Sequence, residues 1–245
     1  MNVVYVSREQ LDASVRDKVR DVDVVLDIGP GIRPQTLVKP YVHICVDAHR
    51  PYLERLQQEA GDDPRYVLVN AVWDVALGML PPKSVDTVFA IDVIEHMEKE
   101  AGRKMLREAE RVARQQVVIF TPLGFFPQSY DDPDEPDRWG MDGAYWQTHR
   151  SGWELADFDD GWEIVCCKDF HLVDEHDQPL RVPMGAFWAV RTLGEGSYRR
   201  VSRSYNPQAN GPIQAQLKGL MRQTLPMPIY KSLRSVWQAL RRGTT

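Results

Sequence analysis

An α/β fold, with a doubly wound and mostly parallel sheet of about seven strands, is predicted by three observations on the sequence. Short runs rich in β-branched residues alternate with segments of helical periodicity. Four of those runs end in an acid or an amide, at Asp27, Asp47, Asn70 and Asp92. The first passes straight into Gly29-Pro30-Gly31, a bend whose glycines leave room for a ligand to approach the backbone. In open α/β sheets the ligand crevice lies outside the carboxyl ends of the strands, so these features converge on one pocket.

Taken in order, residues 7–20 place Leu11, Val15 and Val19 at a spacing of four between charges, the pattern of an amphipathic helix laid across the sheet. Residues 22–28 form the strand that enters the glycine bend. The helix after the bend is short or absent, because Pro40 follows soon and drives its predecessor out of the α region. A strand over 41–46 comes next. Pro51 suits the first turn of a helix over 51–60, with Leu53 and Leu56 on its apolar face. Strands follow over 66–69 and, after Pro81-Pro82, over 85–91. Ala101, Met105, Ala109 and Val112 make the stripe of a long helix. Opposite charges at i,i+4 support it in Glu100–Lys104, Lys104–Glu108 and Glu110–Arg114. Residues 116–120 are a further strand. Residues 121–153, rich in proline and aspartate, read as an irregular substrate insert or lid. A helix near 154–158 and strands over 162–167 and 186–191 complete a domain assigned to residues 1–195. Residues 196–245 are a linker followed by two amphipathic helices, 213–225 and 229–242.

Hydrophobic residues are 43% of the chain and charged residues 27%, the balance of a soluble globular protein. Arg8 and Glu9 interrupt the apolar start before a signal sequence could form, and no apolar run is long enough for a bilayer span. Cys45, Cys166 and Cys167 outline neither a disulfide framework nor a metal-ligand set. A cytoplasmic location is expected. The net charge of −5 hides a segregation: residues 196–245 hold nine Lys and Arg and no Asp or Glu, so the rest carries −14. On the last helix Tyr230, Leu233, Trp237 and Leu240 share a face beside Lys231, Arg234, Arg241 and Arg242. Residues 213–242 therefore suit a peripheral contact at the inner membrane face, or packing on the acidic body or a second copy. Nucleic acid is disfavoured by the negative body.

These residues resemble the class I S-adenosylmethionine-dependent methyltransferases over roughly residues 22–191. Asp27-Ile28-Gly29-Pro30-Gly31 looks like the family's first motif, and Asp47 stands where its acid ends the second strand. Val85-Asp86-Thr87-Val88 looks like the entry to its fourth strand, and Asp92-Val93-Ile94-Glu95-His96 like the segment after it. The resemblance implies a Rossmann-like fold with the last strand antiparallel. It also implies S-adenosyl-L-methionine as cofactor, held by Asp27, Gly29, Pro30, Gly31, Asp47, Ala48, Asn70, Ala71 and Asp92. Phe120-Thr121-Pro122-Leu123-Gly124-Phe125, Pro127-Gln128 and His149-Arg150-Ser151-Gly152-Trp153 look like a bacterial group linked to polysaccharide or glycan biosynthesis. That implies a sugar, glycan or lipid-linked acceptor.

The residues by themselves lean toward the same cofactor. A pyrophosphate site wants Gly-x-Gly-x-x-Gly opening a proper helix, and here Pro34 and Pro40 remove that helix. An NAD(P)-dependent oxidoreductase is therefore the lesser competitor. Asp47, 16 residues past Gly31, can accept both hydroxyls of a ribose. Methyl transfer to a hydroxyl needs an aligned acceptor and a base, and His96 and His149 are the candidates because imidazole titrates near pH ~6.5. Asp92 and Glu95 also fit the Asp-x-x-Glu pattern that caps a helix, and Asp86 reads as structural. No ligand spacing demands a metal. A rival of another class is a non-catalytic cofactor-binding or scaffolding protein of a glycan-assembly complex, docked through the tail.

Overall fold

The computed structural model describes residues 2–130, 136–174 and 177–194. Its strands are β1 (Asn2–Tyr5), β2 (Val24–Ile28), β3 (Val42–Asp47), β4 (Tyr66–Asn70), β5 (Val85–Ile91), β6 (Ala113–Pro122), β7 (Trp162–Val173) and β8 (Pro179–Thr192). They form one sheet in the order β1-β7-β8-β6-β5-β2-β3-β4. Only β8 runs antiparallel to its neighbours, β6 and β7. The few residues joining β7 to β8 are too short for a crossover, so the chain turns back as a hairpin. The sheet has eight strands where seven were expected. The additional one, β1, pairs parallel with the outer edge of β7 from Asn2↔Glu163 to Tyr5↔Cys166. Four mostly exposed residues carry no period of their own, and the free edge of β7 supplies what they pair with.

Strand order reverses at β2, which lies between β3 and β5. The carboxyl ends of these three strands meet there, and so does everything that shapes the site. Alternation along β2 serves both faces. Leu26 and Ile28 join one core cluster with Val88, Ile119 and Trp153, while Val25 joins another with Leu11, Phe89, Phe120 and Trp188.

The helices are α1 (Leu11–Arg16), α2 (Arg50–Ala60), α3 (Trp73–Met79), α4 (Lys99–Val112) and α5 (Ala144–Gln147). The helix expected over 7–20 is a 3-10 turn, Arg8–Gln10, followed by the short α1. Leu11, Val15 and Val19 are buried all the same, and the Arg16 guanidinium donates to the Val19 carbonyl at 2.7 Å, closing the opened last turn. Between the glycine bend and β3 there is no helix. The short helix α3 went unread because seven residues show too little periodicity; Ala76 and Leu77 bury its inner face.

In α4 the charge pairs differ from those expected. Arg103 pairs with Glu100 and Arg111 with Glu108, both at i,i+3. Arg114 lies past the helix end and reaches Asp86 at 2.9 Å, while Glu110 meets Arg191 at 3.4 Å. Asp86 also accepts the amides of Asp23 and Val24, the structural part expected of it. Gly102 sits mid-helix because a Cβ there would lie 2.4 Å from the buried Trp153 ring. Residues 154–158 hold one 3-10 turn, Leu155–Asp157, in place of a helix. Among the described residues no helix is long and apolar enough to cross a membrane. The helices expected over 213–225 and 229–242 lie outside the described residues.

Candidate active site

At the end of β2 the backbone turns through Gly29 (φ 62°) and Gly31 (φ 55°), a conformation that L side chains rarely adopt. Neighbours press on both positions: a Cβ would lie 2.9 Å from Val93 at Gly29 and 2.1 Å from the Trp139 indole at Gly31. Asp47, at the end of β3, pins the bend. Its Oδ2 accepts the Gly31 amide at 3.0 Å and its Oδ1 the His49 amide at 2.8 Å. Burial raises its pKa, and these two amides offset only part of that rise. Asn70 donates to the carbonyls of Asp47 and Ala48 at 2.9 and 3.0 Å and so holds the turn after β3.

A cavity of about 680 Å³ opens here, within the ~300–1,000 Å³ usual for small-molecule sites. Gly29, Gly31, Asp47, Ala48, Ala71, Asp92 and His96 line it. Asp27, Pro30, Asn70 and His149 do not. Asp27, expected to touch the cofactor, is buried behind the bend. Its Oδ2 accepts the Gln35 amide at 2.8 Å and faces His43 Nε2 at 3.1 Å, so it fixes the course of the chain that follows the glycines.

The floor beside His96 is built differently. Asp92 is a non-glycine residue at φ 52°, a strained geometry of the kind found at functional sites. The next turn, Ile94–His96, is 3-10, and α4 begins only at Lys99 with Glu98 as its N-cap. Asp92 and Glu95 therefore do not cap the long helix. Glu95 is 2% exposed. Its Oε2 accepts the Thr121 hydroxyl at 2.9 Å, and its carboxyl group also shares a hydrogen bond with that of Asp92. Burial and then the nearby Asp92 push Glu95 well above the usual carboxyl range, and burial raises Asp92 to about 6.

His96 Nδ1 lies 3.3 Å from the Thr148 carbonyl, and His149 Nδ1 lies 2.7 Å from the Phe126 carbonyl. The rings meet edge to face with centroids 4.7 Å apart. Burial, reinforced by His149, lowers the His96 pKa to about 3, so this ring is neutral. One donor atom from each of Glu95, His96 and His149 lies within 4.8 Å of the others. No sequence spacing disclosed that set, because His149 is 53 residues beyond His96.

The insert closes on both regions. Asp137 accepts the Tyr52 hydroxyl and the amides of Trp139 (2.8 Å), Met141 (2.9 Å) and Gly143 (3.1 Å). Trp139 thereby rests against Gly31 and edge-on to Tyr52, with ring centroids 4.7 Å apart. Arg150 donates to the carbonyls of His96 (2.6 Å) and Tyr145 (2.7 Å), and its guanidinium sits over the Tyr145 ring. Sequence reading missed Tyr52, Asp137 and Trp139, and it quoted Thr121 and Arg150 within motifs without giving either a role. Asp137 stands in a run of acids and prolines, and nothing in that run distinguishes it.

Residues 26–121, which span β2 to β6 and both the glycine bend and the Asp92–His96 turn, match a family model described as a methyltransferase domain. The chain is a methyltransferase enzyme, by its match to that domain. S-Adenosylmethionine is its cofactor, and the bend, Asp47 and the cavity are the parts of this chain suited to receive it. Solved structures similar to the methyltransferase share few of its residues. An S-adenosylmethionine-dependent methyltransferase from Archaeoglobus fulgidus is 17% identical, covering 76% of this chain and 94% of its own, at a TM-score of 0.46. A methyltransferase of Bacillus halodurans is 13% identical, covering 75% and 99%, at 0.49. The magnesium protoporphyrin IX methyltransferase of Synechocystis, solved with its cofactor bound, is 17% identical, covering 75% and 79%, at 0.43. No curated protein matches the sequence.

Proposed function

We propose that this methyltransferase transfers its methyl group to an oxygen of a sugar, glycan or lipid-linked acceptor. The observation that carries the reading is the stretch of wall beside His96, made by Tyr145, Trp146, Gln147 and Arg150. A sugar has an apolar ring face and a hydroxyl edge. Amphipathic aromatics and hydrogen-bonding side chains side by side fit both.

In this reading Asp47 takes the ribose hydroxyls of the cofactor and the glycine bend admits its amino-acid end. The reaction is an in-line displacement at the sulfonium methyl, so the enzyme mainly aligns the attacking oxygen. His96, with Nδ1 turned to the Thr148 carbonyl, offers Nε2 to the acceptor hydroxyl. A ring held neutral with a pKa of about 3 keeps a proton poorly, so this contact orients the hydroxyl rather than deprotonating it outright. The basic residues beyond 196 would bring the enzyme to an anionic membrane surface on the cytoplasmic side, where lipid-linked acceptors lie.

The test is to incubate the full-length enzyme with S-adenosylmethionine and panels of sugar nucleotides, free glycans and lipid-linked sugars, and to locate the added methyl by mass spectrometry. An O-methyl sugar is expected. Trp146→Ala should raise the acceptor KM with little change in kcat. Methyl addition to nitrogen or carbon would overturn the reading, and cofactor binding without turnover on any acceptor would favour the scaffolding alternative. For the membrane contact, vesicle flotation should depend on residues 213–245 and on anionic lipid; equal flotation without them would exclude it.

A further inference from the structure

We infer that Asp92 is the general base of the reaction, and that Glu95 is a positioning residue which holds the Asp92 carboxylate through a shared proton. The first observation is placement. Asp92 belongs to the cavity wall, as His96 does, and is exposed to that cavity. It turns the chain at the end of β5 with a φ of 52°, and its amide donates to the Phe120 carbonyl at 3.0 Å, so the strained residue is anchored to β6. The next residue of β6, Thr121, donates its hydroxyl to Glu95 at 2.9 Å. The Glu95 carbonyl accepts the amides of Arg150 and Ser151 at 2.7 and 3.0 Å. Strand β6 and the end of the insert thus fix both acids.

The second observation is what each buried acid meets. Elsewhere among the described residues such acids are answered by donors. Asp27 meets the Gln35 amide and His43, and Asp47 meets two amides. Asp86 meets Arg114 and two amides, and Asp137 meets the Tyr52 hydroxyl and three amides. Glu95 instead hydrogen-bonds another acid, Asp92. A hydrogen bond between two carboxyl groups requires that one of them carry a proton. Glu95 carries it, because it is 2% exposed while Asp92 opens to the cavity, and burial opposes charge. Asp92 is thereby left as the carboxylate. The protein packed around it raises its pKa to about 6, against the pull of the Glu95 hydrogen bond and of Arg138 in the insert. That value suits a base working near neutral pH.

The inference rests on the O-methylation reading for its acceptor, and it supplies the base which that reading leaves open. His96 orients the acceptor hydroxyl but holds a proton poorly, and Asp92 in the same cavity wall takes that proton instead. As the acceptor oxygen bonds to the methyl carbon, the carbon–sulfur bond breaks. The sulfur keeps the electron pair and becomes the neutral thioether, while the hydroxyl proton passes to Asp92. The hydrogen bond from Glu95 stays in place throughout. Asp92 returns its proton to water once the product leaves.

The experiment compares the full-length enzyme with Asp92→Asn, Glu95→Gln and Glu95→Ala, each checked by circular dichroism and by calorimetry with S-adenosylmethionine. Asparagine accepts a left-handed φ as aspartate does, so Asp92→Asn keeps the turn. It should lower kcat at least about 100-fold, change the acceptor KM little and abolish the acid limb of the wild-type pH profile near pH ~6. Glu95→Gln, which can still donate to Asp92, should keep more of kcat than Glu95→Ala. With the donor gone in Glu95→Ala, the acid limb should move to higher pH. Infrared difference spectra need no acceptor, and they should show a protonated carboxyl above neutral pH that is lost in Glu95→Gln. If Glu95→Ala fails to fold, Asp92→Asn and the infrared band decide. Wild-type kcat and pH profile in Asp92→Asn, with weaker cofactor binding alone, would make Asp92 a cofactor contact and overturn the base. Absence of the infrared band would overturn the shared proton. A product methylated on nitrogen or carbon would refute the acceptor reading, while loss of turnover on that product in Asp92→Asn, with the band present, would uphold the pair.

Discussion

Around Gly31 the groups that shape the cavity are near in sequence or locked by sheet register: the Gly31 amide reaches Asp47 across 16 residues, and the Asp47–Asn70 register brings up the next turn. Around His96 they come from afar. Glu95 is steered by Thr121, 26 residues away, while His96 is met by Thr148 at 52 and by the Arg150 guanidinium at 54. The first region is built largely by backbone and holds its form once β2 and β3 pair. The second exists only when the insert has docked. Damage to the insert should therefore cost the acceptor side more than the cofactor side, and four measurements can break or sharpen that contrast.

The largest effect is expected at Trp153, which is fully buried against Gly102 at the end of the insert. Trp153→Ala should lower unfolding free energy by ~3–5 kcal/mol in urea denaturation. Where the protein remains folded, cofactor affinity should fall less than acceptor turnover; equal losses would dissolve the contrast. Next comes Asp47→Ala, which removes the carboxylate and leaves the Gly31 and His49 amides unanswered. Calorimetry should show S-adenosylmethionine affinity down ~10- to 100-fold, the scale of hydrogen bonds to a charged group. Arg150→Ala should leave that affinity nearly unchanged.

Gly31→Ala tests a place where the insert leans on the cofactor side. A positive φ and a Cβ 2.1 Å from the Trp139 ring should cost ~1–2 kcal/mol, seen as weaker cofactor binding together with a change in tryptophan fluorescence. An affinity within twofold of wild type would show that the Trp139 contact is dispensable.

The smallest effect depends on pH and belongs to His171, whose ring lies tilted against Phe126 of the insert with centroids 4.6 Å apart. Burial lowers its pKa to about 4, with His149 adding to the effect. The unfolded chain, with imidazole near ~6.5, therefore binds the proton more readily between those values. Stability is fully present above pH ~6.5 and declines as pH falls toward 4. After discounting for partial exposure, ~1 kcal/mol should be lost between pH 7 and pH 5, and His171→Phe should remove that part of the slope. An unchanged slope in the variant would clear His171 of any part in acid sensitivity.

Much of the cofactor side was legible because its signals are contiguous. The glycine bend, Asp47 and the missing helix before Pro40 can each be read within a few residues. Even there Asp27 was misplaced, since a strand's alternation shows that successive side chains part but not which face the ligand takes. The acceptor side offered His96 and His149 as separate candidates, and their meeting edge to face could not be foreseen. The partner of Glu95 and the capping position were settled by the distance from Asp92 to the true start of α4, which periodicity locates only to within a turn.

The sequence by itself determined the strand-and-helix alternation, the acids at the strand ends and the bend that excludes a dinucleotide helix, because those depend on backbone preference and near neighbours. Tertiary structure alone decided the eighth strand, the burial of Asp27 behind the bend, the Asp137 anchor of the insert and the convergence of Glu95, His96 and His149. Apart from Asp27, whose partners lie 8 and 16 residues away, each of these needs segments 26 or more residues apart to be brought to one point, and the sheet order together with the docking of the insert is what brings them there.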